Sequence, residues 1–166
     1  MISEHVLEVR APPTAVFEFL SAPDNLVRAV PGATGVGGDD DHQAFVVRAS
    51  AGDVSLAFRG GVEVTRRDRD GLVVGLAGRA REVSGKGKAT ADITARLVLE
   101  PHGGTRVELI IEIAMVGRVA RHGGPVVERA AARIVGDLAS RMRTELAESP
   151  SGVFGLMSRL IGRTPR

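Results

Sequence analysis

The sequence predicts an α+β domain: a curved antiparallel sheet of six to seven strands wrapped on a long C-terminal helix, with two short helices after the first strand. Three observations carry this. From Gly123 to Glu148, Val126, Ala130, Ile134, Leu138, Met142 and Leu146 recur every four residues, and Val127, Ala131 and Val135 widen the stripe. That spacing gives one apolar helix face, with Arg129, Arg133, Asp137, Arg141 and Glu145 off it. Ahead of it, alternating runs are joined by short turns, the signature of an antiparallel meander. The 21 glycines of 166 residues exceed the average share of about 7%, and several lie inside strands, where they allow bulges and bends.

The elements follow in order. Ile2–Arg10 reads as a strand, which Ala11-Pro12-Pro13 breaks. Thr14 begins a short helix with Val16, Phe17 and Leu20 on one side; Pro23 opens a second, with Leu26, Val27 and Val30, and Pro31-Gly32 stops it. Thr34–Gly38 leads into a turn at Asp39-Asp40-Asp41. Gln43–Ala49, Val54–Arg66, Leu72–Arg81, Lys86–Glu100 and Thr105–Val116 then alternate. Pro125 suits the first turn of the long helix, where its missing N–H costs nothing. The middle of the helix stripe is thin, with Ala130, Ala131, Ala132 and Gly136. Small residues there either leave room above a concave sheet or let helix and sheet approach closely.

The chain divides at 148. Residues 1–148 form the domain, and 149–166 form a break at Ser149-Pro150-Ser151-Gly152 followed by a basic amphipathic tail. In the tail, Val153, Phe154, Leu156, Met157, Leu160 and Ile161 share an apolar face, while Arg159, Arg163 and Arg166 carry the charge. That is the pattern of an interfacial helix on a membrane or of a partner-binding segment; docking on its own domain is the alternative.

Composition excludes several classes. With no cysteine there are no disulfides or thiolate metal sites. No run approaches the roughly 20 apolar residues of a membrane span, and the charged, alternating N-terminus is no signal peptide. Net charge is +2 with a pI near 9.9, because arginine supplies nearly all the basic residues. From Arg118 onward nine arginines face four acids, which suits an anionic surface or acidic partner as well as a solvated helix face.

Catalytic chemistry is missing from the pattern. His5, His42, His102 and His122 are scattered without metal-ligand spacing, so no metal site is expected. Gly35-Val36-Gly37-Gly38 and Gly85-Lys86-Gly87-Lys88 match neither a Walker loop nor a dinucleotide fingerprint. Arg79, Arg81, Lys86 and Lys88 cluster without stacking aromatics, which argues against nucleic acid. No serine sits in a nucleophile elbow, and no catalytic residue is assigned. An apolar interior remains. Phe17, Leu20, Phe45, Val47, Leu56, Phe58, Val74, Leu76, Ile111, Ile113, Met115, Ile134, Leu138 and Met142 are candidates to face inward, as ordinary core or as the lining of a ligand cavity.

Several pieces in register carry a resemblance. They are Ala11-Pro12-Pro13 with its helix, Val30-Pro31-Gly32-Ala33, Gly52-Asp53-Val54-Ser55-Leu56-Ala57-Phe58-Arg59-Gly60, Gly103-Gly104-Thr105-Arg106-Val107 and Gly117-Arg118-Val119-Ala120-Arg121-His122-Gly123. The element order is similar to the helix-grip fold of the START and birch-pollen-allergen superfamily. Within it the chain resembles the carbon monoxide dehydrogenase G-subunit family, departing at Ser140-Arg141-Met142, where that family usually has phenylalanines. The resemblance implies a non-enzymatic accessory protein of a molybdenum-hydroxylase complex. Such a protein carries no fixed cofactor, holds a quinone or lipid in its cavity, and sits on the inner, cytoplasmic face of the membrane. A polyketide cyclase/aromatase-like enzyme and a pure assembly factor are the alternative expectations.

Overall fold

The computed structural model describes residues 1–51, 54–117, 120–121 and 124–161, with side chains described except at 49–51, 54, 126 and 147–161. The elements are β1 (Ile2–Val9), α1 (Pro13–Leu20), α2 (Pro23–Ala29), β2 (Ala33–Gly38), β3 (His42–Ala51), β4 (Val54–Asp68), β5 (Val73–Glu82), β6 (Lys88–Leu99), β7 (Thr105–Val116) and α3 (Gly124–Ile161). All seven strands join one sheet in the order β1-β7-β6-β5-β4-β3-β2, every neighbouring pair antiparallel.

The topology explains the two short helices. The chain leaves one sheet edge at β1 and must begin the meander at the other edge, β2. Helices α1 and α2 make that crossing over one end of the concave face. Prolines start both: Pro13 and Pro23 occupy first-turn positions, and the residues before them are extended. The Asn25 side-chain amide donates to the Phe19 carbonyl at 2.9 Å, tying the helices together. Gly32, with φ +77°, turns the chain into β2 against the Arg48 carbonyl, where a Cβ would lie 2.9 Å from that oxygen. Thr105 Oγ1 donates to the Ala11 carbonyl at 2.7 Å inside the core and fixes the chain between β1 and α1.

Bulges bend the sheet, between Gly35 and Gly37 in β2 and between Val64 and Arg66 in β4. The core fills the end of the concave face that α1 and α2 cover. Val16, Phe17, Leu20, Leu26 and Val27 pack there on Val74, Ala95, Leu97, Val107 and Leu109. Each such side chain contributes about 1.5–3 kcal/mol by leaving water.

Helix α3 lies mainly against β1, α2 and α1. Its buried stripe runs Ala131, Val135, Leu138, Ala139, Met142, Leu146. Ala130 is exposed and Ile134 half-buried, so the face is rotated from the every-fourth-residue stripe read in the sequence. The rotation turns Ala139 inward in place of Ala130. The Arg143 guanidinium reaches back to the Glu8 carbonyl at 3.3 Å. The helical assignment continues through Ser149-Pro150-Ser151-Gly152, where the sequence places a break. One proline removes a single backbone donor, which flanking turns can accommodate. The tail's apolar face and arginines lie outside the residues with described side chains.

Candidate ligand-binding site

Register places inward-facing side chains in rows across the sheet. One row is Ser3, Ile111, Ile93, Leu76 and Val64; the next toward the uncovered end is Ile113, Ala91, Gly78 and Val62. Beyond it lies Met115, Ala89, Ala80, Gly60 and Phe45. The last row sets Val47 beside Phe58, and Phe58 beside Glu82. Burial falls off gradually across these rows. Leu76, Ile111 and Val62 are buried; Ser3, Ile93 and Val64 are half-buried, as are Ile113, Ala91, Gly78, Met115, Ala89, Ala80, Gly60, Phe45 and Val47. Leu56, Phe58 and Glu82 are buried again, the first two apart from the main cluster.

The concave face therefore holds a half-open hollow. Its floor is made of Gly60, Gly78, Ala80, Ala89 and Ala91, its sides of Phe45, Val47, Ile113 and Met115. A Cβ at Gly78 would make only ordinary contact, with the Ala91 carbonyl oxygen at 3.8 Å, whereas one at Gly60 would run into the Arg79 carbonyl, so glycine is required there. Ile134 of α3 is half-buried, and before it Gly124, Pro125, Glu128, Arg129 and Ala130 are exposed.

The predicted cavity residues thus fall into two groups. Phe17, Leu20, Val74, Leu76, Ile111, Leu138 and Met142 belong to the contiguous core and pack on one another. Phe45, Ile113 and Met115 lie on the half-buried rows, Phe45 and Ile113 also packing against the core; Leu56 and Phe58 are buried at the far side, and Ile134 is half-buried on α3. Sequence reasoning missed the floor itself, because glycine and alanine give no apolar signal; only the strand register collects them. It also missed Glu82, 5% exposed at the inner end of β5. A signal for it existed in Gly85 and Gly87, where a Cβ would lie 2.5 and 2.8 Å from Glu82 Oε2.

Polar groups elsewhere are separate. Ser3 and His5 hydrogen-bond at 2.7 Å on the inner side of β1. Three strand spacings separate β1 from β5, roughly 14 Å, so His5 and Glu82 form no acid–base pair. His102 Nδ1 accepts from the Gly104 N–H at 3.2 Å in a turn, His42 sits in the β2–β3 hairpin, and His122 lies outside the described residues. Asp39 Oδ1 accepts the backbone N–H groups of Asp41 and His42, which hold its carboxyl below the usual carboxylate range. Among the described residues no group of His, Asp and Glu could hold a metal ion. A second, acidic cleft of about 540 Å³ lies between that turn and the start of α2, bridged by Arg67, which donates to the Ser21 carbonyl at 3.0 Å and pairs with Asp41.

A single antiparallel sheet curled on a long helix, with two short helices carrying the chain from edge to edge and a hollow on the concave side, defines a START-like helix-grip protein. The chain belongs to the carbon monoxide dehydrogenase G-subunit (CoxG) family, whose sequence pattern matches residues 6–147. Similar solved structures share the fold. A conserved protein from Geobacillus kaustophilus is 17% identical, covering 90% of this chain and 97% of its own, with a TM-score of 0.76. A START superfamily protein from Mycobacterium smegmatis is 13% identical over 89% of this chain and 97% of its own, with a TM-score of 0.60. The Zhui aromatase/cyclase of a Streptomyces species is 14% identical over 86% of this chain and 93% of its own, with a TM-score of 0.54. No curated protein matches the chain.

Proposed function

We propose that the protein is a non-enzymatic carrier serving a molybdenum-hydroxylase complex of the carbon monoxide dehydrogenase type. It holds an apolar molecule, a quinone, in the concave hollow and touches the inner face of the cell membrane through the tail from Val153 to Arg163. The observation that carries this reading is the hollow: inward-facing apolar side chains left half-open beside a fully packed core. Natural interiors are filled, so apolar space held open is space for a ligand. Burying one prenyl unit at about 0.8 kcal/mol per methylene is enough for weak binding without a hydrogen bond. The separation of Glu82 from His5 supports carriage over acid–base catalysis. Among the described residues no helix is long and apolar enough to cross a membrane, and the tail is proposed to lie on its surface.

Native mass spectrometry with solvent extraction tests the carrier. A co-purifying lipid, or binding of added quinone analogues, is expected; neither appearing removes the reading. Deleting Val153–Arg166 is expected to move the protein from membrane to soluble fractions with its unfolding temperature kept, and unchanged membrane association places the anchor elsewhere.

A recruitment role is the second reading, favoured by the convex face. There Ile2 and Val6 of β1 are 64% and 63% exposed, and Ile110 of β7 faces the same way beside them. Partner-enzyme capture that survives a blocked hollow favours this reading over carriage.

A further inference from the structure

Burying a carboxylate is expensive, and Glu82 is placed where the hollow ends. Along the inner face of β5 the side chains run Val74, Leu76, Gly78, Ala80, Glu82, from packed core through open floor to the acid. Glu82 stands two residues beyond Ala80, roughly 7 Å along the strand. It lines a cleft of about 310 Å³ with Lys86, Gly87, Gly117 and Arg121. Glycine forms two of these walls for a steric reason. A Cβ at Gly117 would lie 2.7 Å from the Gly87 Cα, and one at Gly87 would press on Glu82 Oε2. Lys86 and Arg121 are exposed at the rim. The Gly85-Lys86-Gly87 run, which matches no phosphate-binding motif, thus shapes a cleft with one buried acid and two rim cations.

We propose that this cleft seats the polar end of the carried molecule, and that it selects an uncharged head bearing a hydroxyl, as the reduced quinol form of the carried quinone does and the oxidised form does not. The proposal rests on the carrier reading and adds the head group's chemistry and place to it. A carboxylate only accepts hydrogen bonds and has about four lone-pair sites, so a hydroxyl donor fits beside the bonds Glu82 already makes. Lys86 and Arg121 only donate, so the same head meets them with an oxygen acceptor. A phosphate head brings a second negative charge against a desolvated carboxylate, and a quaternary ammonium head meets the two rim cations. The apolar part of the molecule then lies on the Gly78, Ala80 and Ala91 floor.

Displacement of a neutral phenylnaphthylamine dye tests this with dodecanol, dodecyl phosphate and dodecyltrimethylammonium. Wild-type protein is expected to bind the dye and to prefer dodecanol over both charged amphiphiles. Glu82→Gln is expected to keep dye binding, to weaken dodecanol about tenfold through loss of a charge-assisted bond, and to narrow the alcohol-to-phosphate ratio. Lys86→Glu, an exposed change that leaves the buried acid in place, is expected to strengthen dodecyltrimethylammonium several-fold. Failure of the wild-type protein to bind the dye overturns the carrier reading. Dye binding with head-group ratios unmoved by both variants overturns the seat alone. If Glu82→Gln does not fold, an unmoved ratio in Lys86→Glu overturns the seat by itself.

Discussion

The two ends of the concave face have the same architecture and opposite packing. At one end α1, α2 and the Ala131–Leu146 part of α3 pack into one core with the sheet, and Phe17, Val74 and Met142 are at most 1% exposed. At the other the same strands present alanine and glycine, and the neighbouring apolar groups remain half-open. One end stabilises the fold; the other is free to hold something. The difference teaches that a helix-grip sheet does not fill itself, and that what lies above it decides which rows become core.

Substitutions sharpen this contrast. The largest effect is expected at the filled end: Met142→Ala should cost about 2–5 kcal/mol by leaving a void among fixed neighbours, read as a lowered unfolding temperature. A loss under about 1 kcal/mol would show that this end also has slack. At the open end, Ala91→Phe should cost less than Met142→Ala, about 1–3 kcal/mol, while lowering ligand affinity at least about tenfold, because the ring occupies the hollow. Equal damage to stability at both ends would erase the distinction.

The smallest effect lies off both surfaces, in the Asp39 turn. Its folded pKa is depressed below the ordinary aspartate value, first by the Asp41 N–H and then by that of His42. The stabilisation is therefore present above the unfolded value and lost as pH falls through the folded one. Asp39→Asn should lower the unfolding temperature slightly at neutral pH and flatten its fall below about pH 4, where the two proteins converge. An identical acid limb in the variant would show that the turn contributes nothing.

Most of the fold was legible. Alternation with Gly- and Asp-rich turns located all the strands after α2, and the helical spacing from Thr14 and the start at Pro23 located both short helices, the first beginning one residue earlier, at Pro13. What was not legible has two physical sources. A single sequence shows periodicity and not rotation, so the α3 stripe was placed on Ala130 where burial selects Ala139. Register is also invisible before pairing. Gly60, Gly78, Ala80, Ala89 and Ala91 come from three strands and become one floor only when aligned. Bulky apolar residues therefore drew the cavity assignment toward Phe17, Val74 and Met142, which the packed end consumed.

The one-sided anchoring of α3 has a consequence in time. From Ala131 to Leu146 the helix is held by buried side chains, whereas Ala130 and its described neighbours toward Gly124 are largely exposed, and the mid-helix Gly136 has no atom within 4 Å of where its Cβ would be. A rod clamped at one part of its length frays from the other. Amide hydrogens early in the helix should trade with solvent deuterium long before those around Met142, by local unwinding while the rest of the domain stays folded.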